Sequence, residues 1–208
     1  MSESAPAPRN WPGLTFRGYQ IKLAESPDEI EQIHRLVYRT FVLEIKQHAD
    51  PGDGRLVDKF HHKNRYLAAV RDGQVCGMVA VHDQPPFSVA DAIPNPGVLE
   101  ALAPGLLEVR LLAVEPAQRH RRLFGGLLWA VYDYALQLGY EYLAISGLRE
   151  RQAMYQRMGF RPLGDPVPRG QAYYVPMLVQ LSDLGERGRQ TRDALARTVQ
   201  QEADQLGG

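Results

Sequence analysis

One stretch of the chain places a carboxylate, a run of arginines and a predicted helix start close together. Glu108 lies at the start of an apolar run that ends near Val114, and a helical pattern begins at Leu123. Free backbone N–H groups at a helix start attract anions such as a phosphate or pyrophosphate. Side-chain charge for the same anion would come from the turn before the helix, through Arg119, Arg121 and Arg122. On spacing alone, a solvated basic turn is an equally good interpretation.

A second stretch, residues 153–160, carries Tyr155 on a short predicted helix. Gly159 is a typical helix stop, and Phe160 opens the next predicted strand. By itself this pattern indicates a common helix end followed by a core aromatic side chain.

The first helix that must position these residues has a clear beginning. Ser26 is predicted to cap it, Pro27 occupies its first position, and Glu29 completes a capping box. Apolar residues at helical spacing then predict one buried face, formed by Ile30, Ile33, Leu36, Val37 and Phe41.

The remaining elements follow from hydrophobic runs and turn signals. Asp72-Gly73 between two apolar runs predicts a hairpin. Two segments read as loops, 46–64 and the proline-rich 83–106, and the length of the second is typical of a functional or mobile loop. The predicted strands are 15–24, 66–71, 75–82, 107–114, 140–146, one opening at 159–160, and 173–181, and the predicted helices after the first are 123–138 and 150–158.

This order predicts an α/β (α+β) domain with a mixed sheet and not a doubly wound dinucleotide fold. Because neither a G-x-G-x-x-G turn after a strand nor a Walker loop is present, nicotinamide and nucleoside triphosphate chemistry are excluded. We expect a disordered lead at residues 1–13, one domain at 14–181, and a polar, partly helical tail at 182–208.

Composition narrows the function classes further. The 208 residues suffice for one domain, and a formal net charge of zero gives no indication of nucleic acid as a partner. A lone cysteine, Cys76, fits a reducing compartment and reads as a buried strand residue. Neither a transmembrane run nor a signal peptide is visible, so we expect a cytoplasmic protein. His61-His62 reads as a pair of loop histidines, and no metal site is predicted.

Together the two opening stretches resemble the GNAT acyltransferase superfamily. Val114, Pro116 and Arg119 match its strand–turn–helix motif, and Tyr155, Gly159 and Phe160 match its later A-x-x-x-Y-x-x-x-G-F-like stretch, although Ala153 lies two positions too close to the tyrosine. The resemblance spans roughly residues 15–180 and implies a mostly antiparallel central sheet flanked by helices. Where acetyl-CoA users carry glycines in the turn, this chain has Arg122 and Phe124, which disfavours a close approach of a pyrophosphate.

Three further segments resemble the acyl-homoserine lactone synthases and N-acyl amino acid synthases. They are Tyr38–Glu44, Asp58 and the strand start Glu108-Val109-Arg110, in this order along the chain. This resemblance implies an acyl thioester donor, first of all acyl carrier protein, whose acidic surface would suit a local arginine cluster. Acyl-CoA is the other donor, and no permanently bound cofactor is implied.

The resemblance also implies roles for particular residues. Glu108 is the candidate base and Tyr155 the candidate acid that protonates the leaving thiolate, with a strand carboxylate paired to a cation and a packed aromatic as the alternatives. The predicted donor-binding residues are Leu112, Ala113 and Val114, whose N–H groups would stabilise an oxyanion, together with Arg119, Arg121, Arg122, Phe124 and Gly125. The predicted acceptor-binding residues are Arg39, Glu44, Asp58 and Arg110, for which a helix-surface ion pair and a loop cap are the alternatives.

The sequence therefore predicts an N-acyltransferase that moves a long-chain acyl group from a thioester to a small amine, such as an amino acid. An acetyl-CoA-dependent N-acetyltransferase and an inactive binding module with the same fold are the alternatives. S-adenosylmethionine and a plain amino acid both stay open as acceptors, and so does the oligomeric state.

Overall fold

A computed structural model describes residues 11–183 and 186–206. Its strands are β1 (Leu14–Phe16), β2 (Tyr19–Leu23), β3 (Arg65–Arg71), β4 (Gln74–His82), β5 (Leu106–Val114), β6 (Tyr142–Leu148), β7 (Arg161–Pro162), β8 (Val167–Arg169) and β9 (Ala172–Gln180). Its α-helices are α1 (Pro27–Tyr38), α2 (Gly97–Leu102), α3 (Leu123–Gln137), α4 (Gln152–Arg157) and α5 (Glu186–Leu206).

The nine strands form one sheet in the order β1-β2-β3-β4-β5-β6-β9-β7, with β8 also paired to β9. Within the described residues β5 and β6 pair in parallel, and every other recorded pairing is antiparallel. The helix α3 supplies the crossover that a parallel pair needs. The expected mixed, mostly antiparallel sheet flanked by helices is confirmed.

Helices cover both faces of the sheet. The face under α3 holds the larger core, where Leu127, Val131 and Tyr134 are buried. The other face packs on α1 through Ile33 and Leu36. Because apolar side chains alternate between the two faces along a strand, both cores draw on the same strands.

The start of α1 follows the sequence signals closely. The Ser26 hydroxyl accepts from the Glu29 backbone N–H at 3.1 Å, and the Glu29 carboxylate accepts from the Ser26 N–H at 3.2 Å. Both bonds satisfy donors that the first turn would otherwise leave unpaired. After Tyr38 the helix widens into a π-helical segment, Arg39–Glu44, which carries Phe41 and Val42 into the core.

Two expectations near the N-terminus need correction. The predicted strand 15–24 is a hairpin, β1 and β2, because Arg17 and Gly18 both take positive φ (52° and 72°), which reverses the chain. Residues 11–13 belong to the folded domain and not to a disordered lead. Trp11 is buried against Tyr134, and its indole N–H donates to Asp133 at 2.7 Å. Residues 1–10 lie outside the described residues.

The predicted loop 83–106 is in part helical, which corrects a third expectation. It contains α2 and two short 3₁₀ turns, Ser88–Ala92 and Ala103–Gly105. Phe87, Val89 and Leu99 form a small core of their own beneath it. Burial of these side chains compensates for the weak helical pattern, so the segment, called the insertion below, is an ordered part of the domain.

The tail beyond the sheet forms α5. Leu195 and Val199 of this helix pack against the core on the α3 side. Within residues 11–183 and 186–206, no helix combines the length and apolar character needed to cross a bilayer.

Candidate functional site

A cavity of about 460 Å³ opens where the two parallel strands separate. Pairing between β5 and β6 runs from Leu106↔Tyr142 to Val109↔Ile145. Beyond these pairs β5 continues to Val114 and β6 to Leu148, each bonded to its other neighbour. The space between the diverging ends reaches both faces of the sheet, because the lining includes Phe41 from the α1 side and Leu128 from α3.

A β-bulge shapes the β5 side of this cavity. Ala80 of β4 pairs with Arg110 and Met78 pairs with Ala113, so Leu111 and Leu112 together oppose the single residue between them. Leu111 takes a φ of +51°, which the bulge requires. A bulge leaves backbone groups outside the ladder, and the predicted oxyanion-binding strand therefore has its irregular point at the cavity wall.

The three residues predicted to bind the oxyanion take different positions at this bulge. Leu112 lines the cavity. Ala113 and Val114 are buried and pair with Met78 and Gly77 of β4. Their placement on the predicted strand is therefore correct, but the described geometry brings Leu112 and its neighbour Leu111, and not Ala113 or Val114, to the cavity wall.

Two predicted acceptor residues meet in a tight ion pair on the cavity wall. Arg110 donates to both carboxylate oxygens of Asp58, each at 3.0 Å. Their side chains are only 12% and 7% exposed. The Phe60 backbone N–H also donates to Asp58 Oδ1 at 2.9 Å, and the Phe60 ring lies 4.6 Å below the Arg110 guanidinium. A bidentate, largely buried pair of this kind holds both side chains in one geometry.

Glu108 lies behind the cavity wall, with no exposed surface. Its carboxylate accepts from the Ser88 N–H (2.8 Å), the Ser88 hydroxyl (2.6 Å) and the Val89 N–H (2.9 Å), and His82 Nε2 lies 2.8 Å away. Burial alone would raise the pKa of Glu108, but the bonds from His82 and Ser88 outweigh it and hold that pKa below its usual value. Because its partners begin the 3₁₀ turn at Ser88, the carboxylate fastens the insertion to β5.

Tyr155 lines the cavity from α4. Its ring packs directly on Gly147 of β6, where any added side chain would clash with it. Burial raises the pKa of the Tyr155 hydroxyl, so it stays protonated at neutral pH. Among the described residues none is recorded as a hydrogen-bond partner of this hydroxyl, unlike Tyr174 nearby, which donates to Gln47 at 2.7 Å. The Tyr155 hydroxyl is therefore available to a ligand.

The predicted acceptor residues Arg39 and Glu44 lie elsewhere, in an exposed charge cluster beside the end of β5. Arg119 donates to both oxygens of Glu44, at 2.7 and 2.6 Å, and its Nε donates to the Val114 carbonyl at 3.0 Å. These bonds hold the pKa of Glu44 below its usual value. Arg39 pairs with Glu115. Arg119, which was predicted to bind the acyl donor, thus pairs with Glu44, which was predicted to bind the acceptor. Neither residue lines the cavity.

The basic turn leads into α3 with a left-handed residue. Arg122 has a φ of +59° and its side chain is exposed. Phe124 and Gly125 follow in the first turn of α3, both half-buried. The side chain of Arg121 lies outside the description. Arg122 therefore adopts the backbone conformation that glycine favours, while presenting a bulky cation at the helix start.

Sequence reasoning missed several side chains that line the cavity. They are His48, Lys59, Asp91, Arg169 and Tyr174. All but Tyr174 lie on loops, in the 3₁₀ turn Ser88–Ala92 or at the end of the short strand β8, where no periodic pattern marks them. The sequence offered one signal for Lys59, namely that it directly follows Asp58. The two residues line the same wall of the cavity.

Similarity to known proteins agrees with this geometry. A family model described as "N-acyl amino acid synthase FeeM" matches residues 32–180. Among curated proteins none matches the chain.

Solved structures share the fold. A CoA-dependent acyl-homoserine lactone synthase, BjaI, solved with SAM and isopentyl-CoA, is 23% identical over 88% of this chain and 90% of its own, with a TM-score of 0.68. The acyl-homoserine lactone synthase LasI is 18% identical, covering 81% and 91% of the two chains with a TM-score of 0.64. FeeM, an N-acyl amino acid synthase from uncultured soil microbes, is 19% identical, covering 79% and 92% with a TM-score of 0.60.

The family match covers the strands that split, the bulge and the tyrosine that faces the cavity. The chain belongs to the FeeM family of N-acyl amino acid synthases and is an N-acyltransferase.

Proposed function

We propose that this N-acyltransferase moves a long-chain acyl group from an acyl thioester, first of all acyl carrier protein, to the amine of an amino acid or a similar small molecule. The observation that carries the proposal is the cavity between β5 and β6. Its volume of about 460 Å³ lies within the range of about 300–1,000 Å³ typical of small-molecule sites. Apolar side chains such as Phe41, Ile45 and Leu128 suit an acyl chain, and the Asp58–Arg110 pair suits a charged acceptor.

The donor assignment is supported by the turn before α3. Arg122 and Phe124 occupy positions at which the backbone would have to come close to a pyrophosphate, and their bulky side chains hinder that approach. The exposed Arg122 suits an acidic carrier protein. Arg119 is already paired with Glu44, so it contributes less free charge than the sequence implied. Acyl-CoA is the second candidate donor, because BjaI is a CoA-dependent synthase.

The proposed reaction is a direct transfer without a covalent enzyme intermediate. The neutral amine attacks the thioester carbonyl, a C–N bond forms, and the tetrahedral oxyanion is met by backbone N–H groups at the Leu111–Leu112 bulge. Collapse breaks the C–S bond, the Tyr155 hydroxyl gives its proton to the departing thiolate, and the proton that the nitrogen releases as the amide forms returns to the Tyr155 oxygen. The fully protonated state of Tyr155 at neutral pH fits this role.

The amine must also lose a proton, since an α-amino group has a pKa of about 8. Glu108 stays our proposed base. Because its carboxylate is enclosed by His82 and Ser88, a proton would reach it through a water or through one of these side chains, and not by direct contact.

Purified protein incubated with pooled amino acids, S-adenosylmethionine and one donor at a time tests the proposal, with products identified by mass spectrometry. The donors are long-chain acyl carrier protein, long-chain acyl-CoA and acetyl-CoA. We expect a mass-shifted N-acyl amino acid with acyl carrier protein. A product with long-chain acyl-CoA alone would show that the donor is acyl-CoA and not acyl carrier protein.

A product with acetyl-CoA alone would make the protein an N-acetyltransferase. Absence of product with every donor, from protein whose circular dichroism shows it folded, would overturn the proposal in favour of a binding module.

A further inference from the structure

The charged side chains that line the cavity are not balanced. Three are cationic (Lys59, Arg110, Arg169) and two are anionic (Asp58, Asp91). Arg110 and Asp58 satisfy each other at 3.0 Å. One carboxylate, that of Asp91, is therefore left to two cations.

Asp91 holds these cations loosely. Its Oδ2 lies 3.7 Å from Lys59 Nζ and 3.8 Å from an Arg169 terminal nitrogen, both beyond hydrogen-bond length. The three side chains are 62%, 45% and 54% exposed for Lys59, Arg169 and Asp91. Ion pairs of this length and exposure contribute little free energy. Lys59 and Arg169 can therefore exchange Asp91 for an incoming anion.

The backbone holds Arg169 in place even though its side chain is only weakly paired. Arg169 ends β8 and is followed by Gly170, whose φ is +60°. A side chain at Gly170 would clash with the Lys46 and Gln47 carbonyls, and the Gln171 N–H donates to the Lys46 carbonyl at 3.1 Å. The β8–β9 turn is therefore docked on the segment that leads to Asp58, which presents Arg169 to the cavity.

Lys59 is fixed from the other side. It directly follows Asp58, and its ammonium lies 4.8 Å from the Phe60 ring. Phe60 itself is tied to Asp58 by a backbone bond and to the Arg110 guanidinium by stacking. The two weakly paired cations thus stand beside the Asp58–Arg110 pair, while Arg119 and Arg122 belong to the turn before α3.

We propose that Lys59 and Arg169 bind the carboxylate of the acceptor, displacing Asp91, and so restrict the protein to amines that carry an acid group. This inference rests on the proposed function. Arginine suits it because its fork of N–H donors matches the two oxygens of a carboxylate. Asp58 nearby carries the opposite charge and suits the acceptor's amine end.

The test compares each of the twenty amino acids with its methyl ester as acceptor, with free thiol release measured in the full-length protein. We expect the amino acid to exceed its ester in kcat/KM by about tenfold or more, as charge-assisted bonds to a carboxylate would give. In Arg169→Gln and Lys59→Gln this preference should fall by about tenfold, while the ester rate stays within about twofold. Arg161→Gln on β7, an exposed arginine outside the cavity lining, is the matched control.

Asp91→Asn separates recognition from simple structural support. If Asp91 competes with the acceptor, removing its charge should lower the KM for amino acids by about threefold and leave the KM for esters unchanged. A loss of activity with both acceptor classes in all three variants would overturn the proposal. A rise in the KM for the donor, whatever the acceptor, would overturn it in favour of a site for the donor's phosphate.

A binding measurement keeps this inference apart from the proposed reaction. An amino acid that binds the folded state should raise the melting temperature, and its methyl ester at the same concentration should do so less. If wild-type protein acylates nothing but shows this carboxylate-dependent shift, and Arg169→Gln loses it, the carboxylate site stands while the proposed reaction falls. Equal shifts for acid and ester in wild type and variant would overturn the site.

Discussion

Two tyrosines on the same cavity differ in one respect that decides their chemistry. Tyr174 donates its hydroxyl proton to Gln47, whereas Tyr155, which also lines the cavity, has no recorded hydrogen-bond partner for its hydroxyl among the described residues. Burial raises the pKa of both hydroxyls. A general acid must be protonated and within reach of the leaving group, and of the two only Tyr155 offers an uncommitted proton.

We therefore expect Tyr155→Phe to lower kcat by about 10²-fold with little change in KM, because proton transfer of this kind contributes about 10²–10⁴-fold. Single-turnover thiol release measures the step. Tyr174→Phe is the matched control and should keep most of the activity. Equal rates for wild type and Tyr155→Phe would remove the acid role.

Glu108 presents the opposite situation, a buried carboxylate that already accepts hydrogen bonds from Ser88 and Val89. Replacing it by glutamine turns an acceptor into a donor facing the N–H groups of Ser88 and Val89. We expect Glu108→Gln to lower the free energy of unfolding by about 2 kcal/mol, since buried donors left without an acceptor cost about 1–3 kcal/mol. Urea denaturation measures this, and limited proteolysis should show earlier cleavage within the insertion.

The variant Ser88→Ala separates anchoring from catalysis, because it removes one bond to Glu108 and leaves the carboxylate. Loss of stability in both variants, with activity kept in Ser88→Ala, would fit a carboxylate that both anchors the insertion and accepts a proton. Wild-type stability in Glu108→Gln would show that the anchor contributes nothing.

At the scale of elements, α1 carries a histidine that its surroundings keep uncharged. His34 is 5% exposed, and neither ring nitrogen has a hydrogen-bond partner among the residues that the structure describes. Its ring lies 4.9 Å from that of His61, and its carbonyl accepts from the Leu56 N–H of the loop that leads to Asp58. Burial first, then the charges of His61 and Arg55, lower the pKa of His34, while Glu31 opposes them more weakly.

Because the folded state binds the proton of His34 less readily than the unfolded chain, folding is favoured above the unfolded histidine pKa of about 6.5 and loses stability as the pH falls below it. We expect the unfolding free energy to drop by up to about 1.4 kcal/mol per pH unit in that range from this residue. Denaturant titrations at pH 7.5 and about 5.5 measure the drop. In His34→Leu the drop should be smaller, and an unchanged slope would assign it to other groups.

Several elements could be predicted from sequence because their signals are local. The capping box at Ser26 and the hairpin at Asp72-Gly73 each need a few adjacent residues, and both are present. Arg17-Gly18 was missed because arginine rarely occupies the left-handed first position of such a turn. The bulge at Leu111 lies inside a continuous apolar run, where a shift of one residue leaves no trace in the pattern.

The site was predictable where the family resemblance supplied long-range information. Asp58 and Arg110 were assigned to one function, and the structure joins them across 52 positions. Glu44 and Arg119 were assigned to different ligands, yet they pair with each other. Charge pairing between distant segments depends on packing that no local pattern records, which is also why Lys59 and Arg169 were missed.

At the scale of the whole molecule, α5 extends the domain beyond the family match, which ends at residue 180. Its Leu195 and Val199 reach the core on the α3 side. The helix α3 itself begins directly after the basic turn that carries Arg122. The remainder of α5 is mostly polar, so these apolar contacts attach it.

We expect Leu195→Ser to lower the unfolding free energy by about 1–2 kcal/mol, as removal of a partly buried leucine from its packing should do. Asp204→Ser, at an exposed position of the same helix, is the matched control and should stay within about 0.5 kcal/mol of wild type. Thermal unfolding measures both. Equal melting temperatures would mean that α5 is not held by this contact.

The short parallel pairing of β5 and β6 has a consequence for the breadth of substrates. Four residue pairs join the two halves of the sheet, and each half is bonded internally by its own antiparallel ladders. The cavity therefore lies at the boundary between these two halves of the sheet, a boundary we call the seam. The core under α3 holds side chains from both halves, among them Val79 from one and Leu143 from the other. Under the proposed function a wider acyl chain would have to separate the halves and disturb this core, so we expect the seam to limit the girth of the chain.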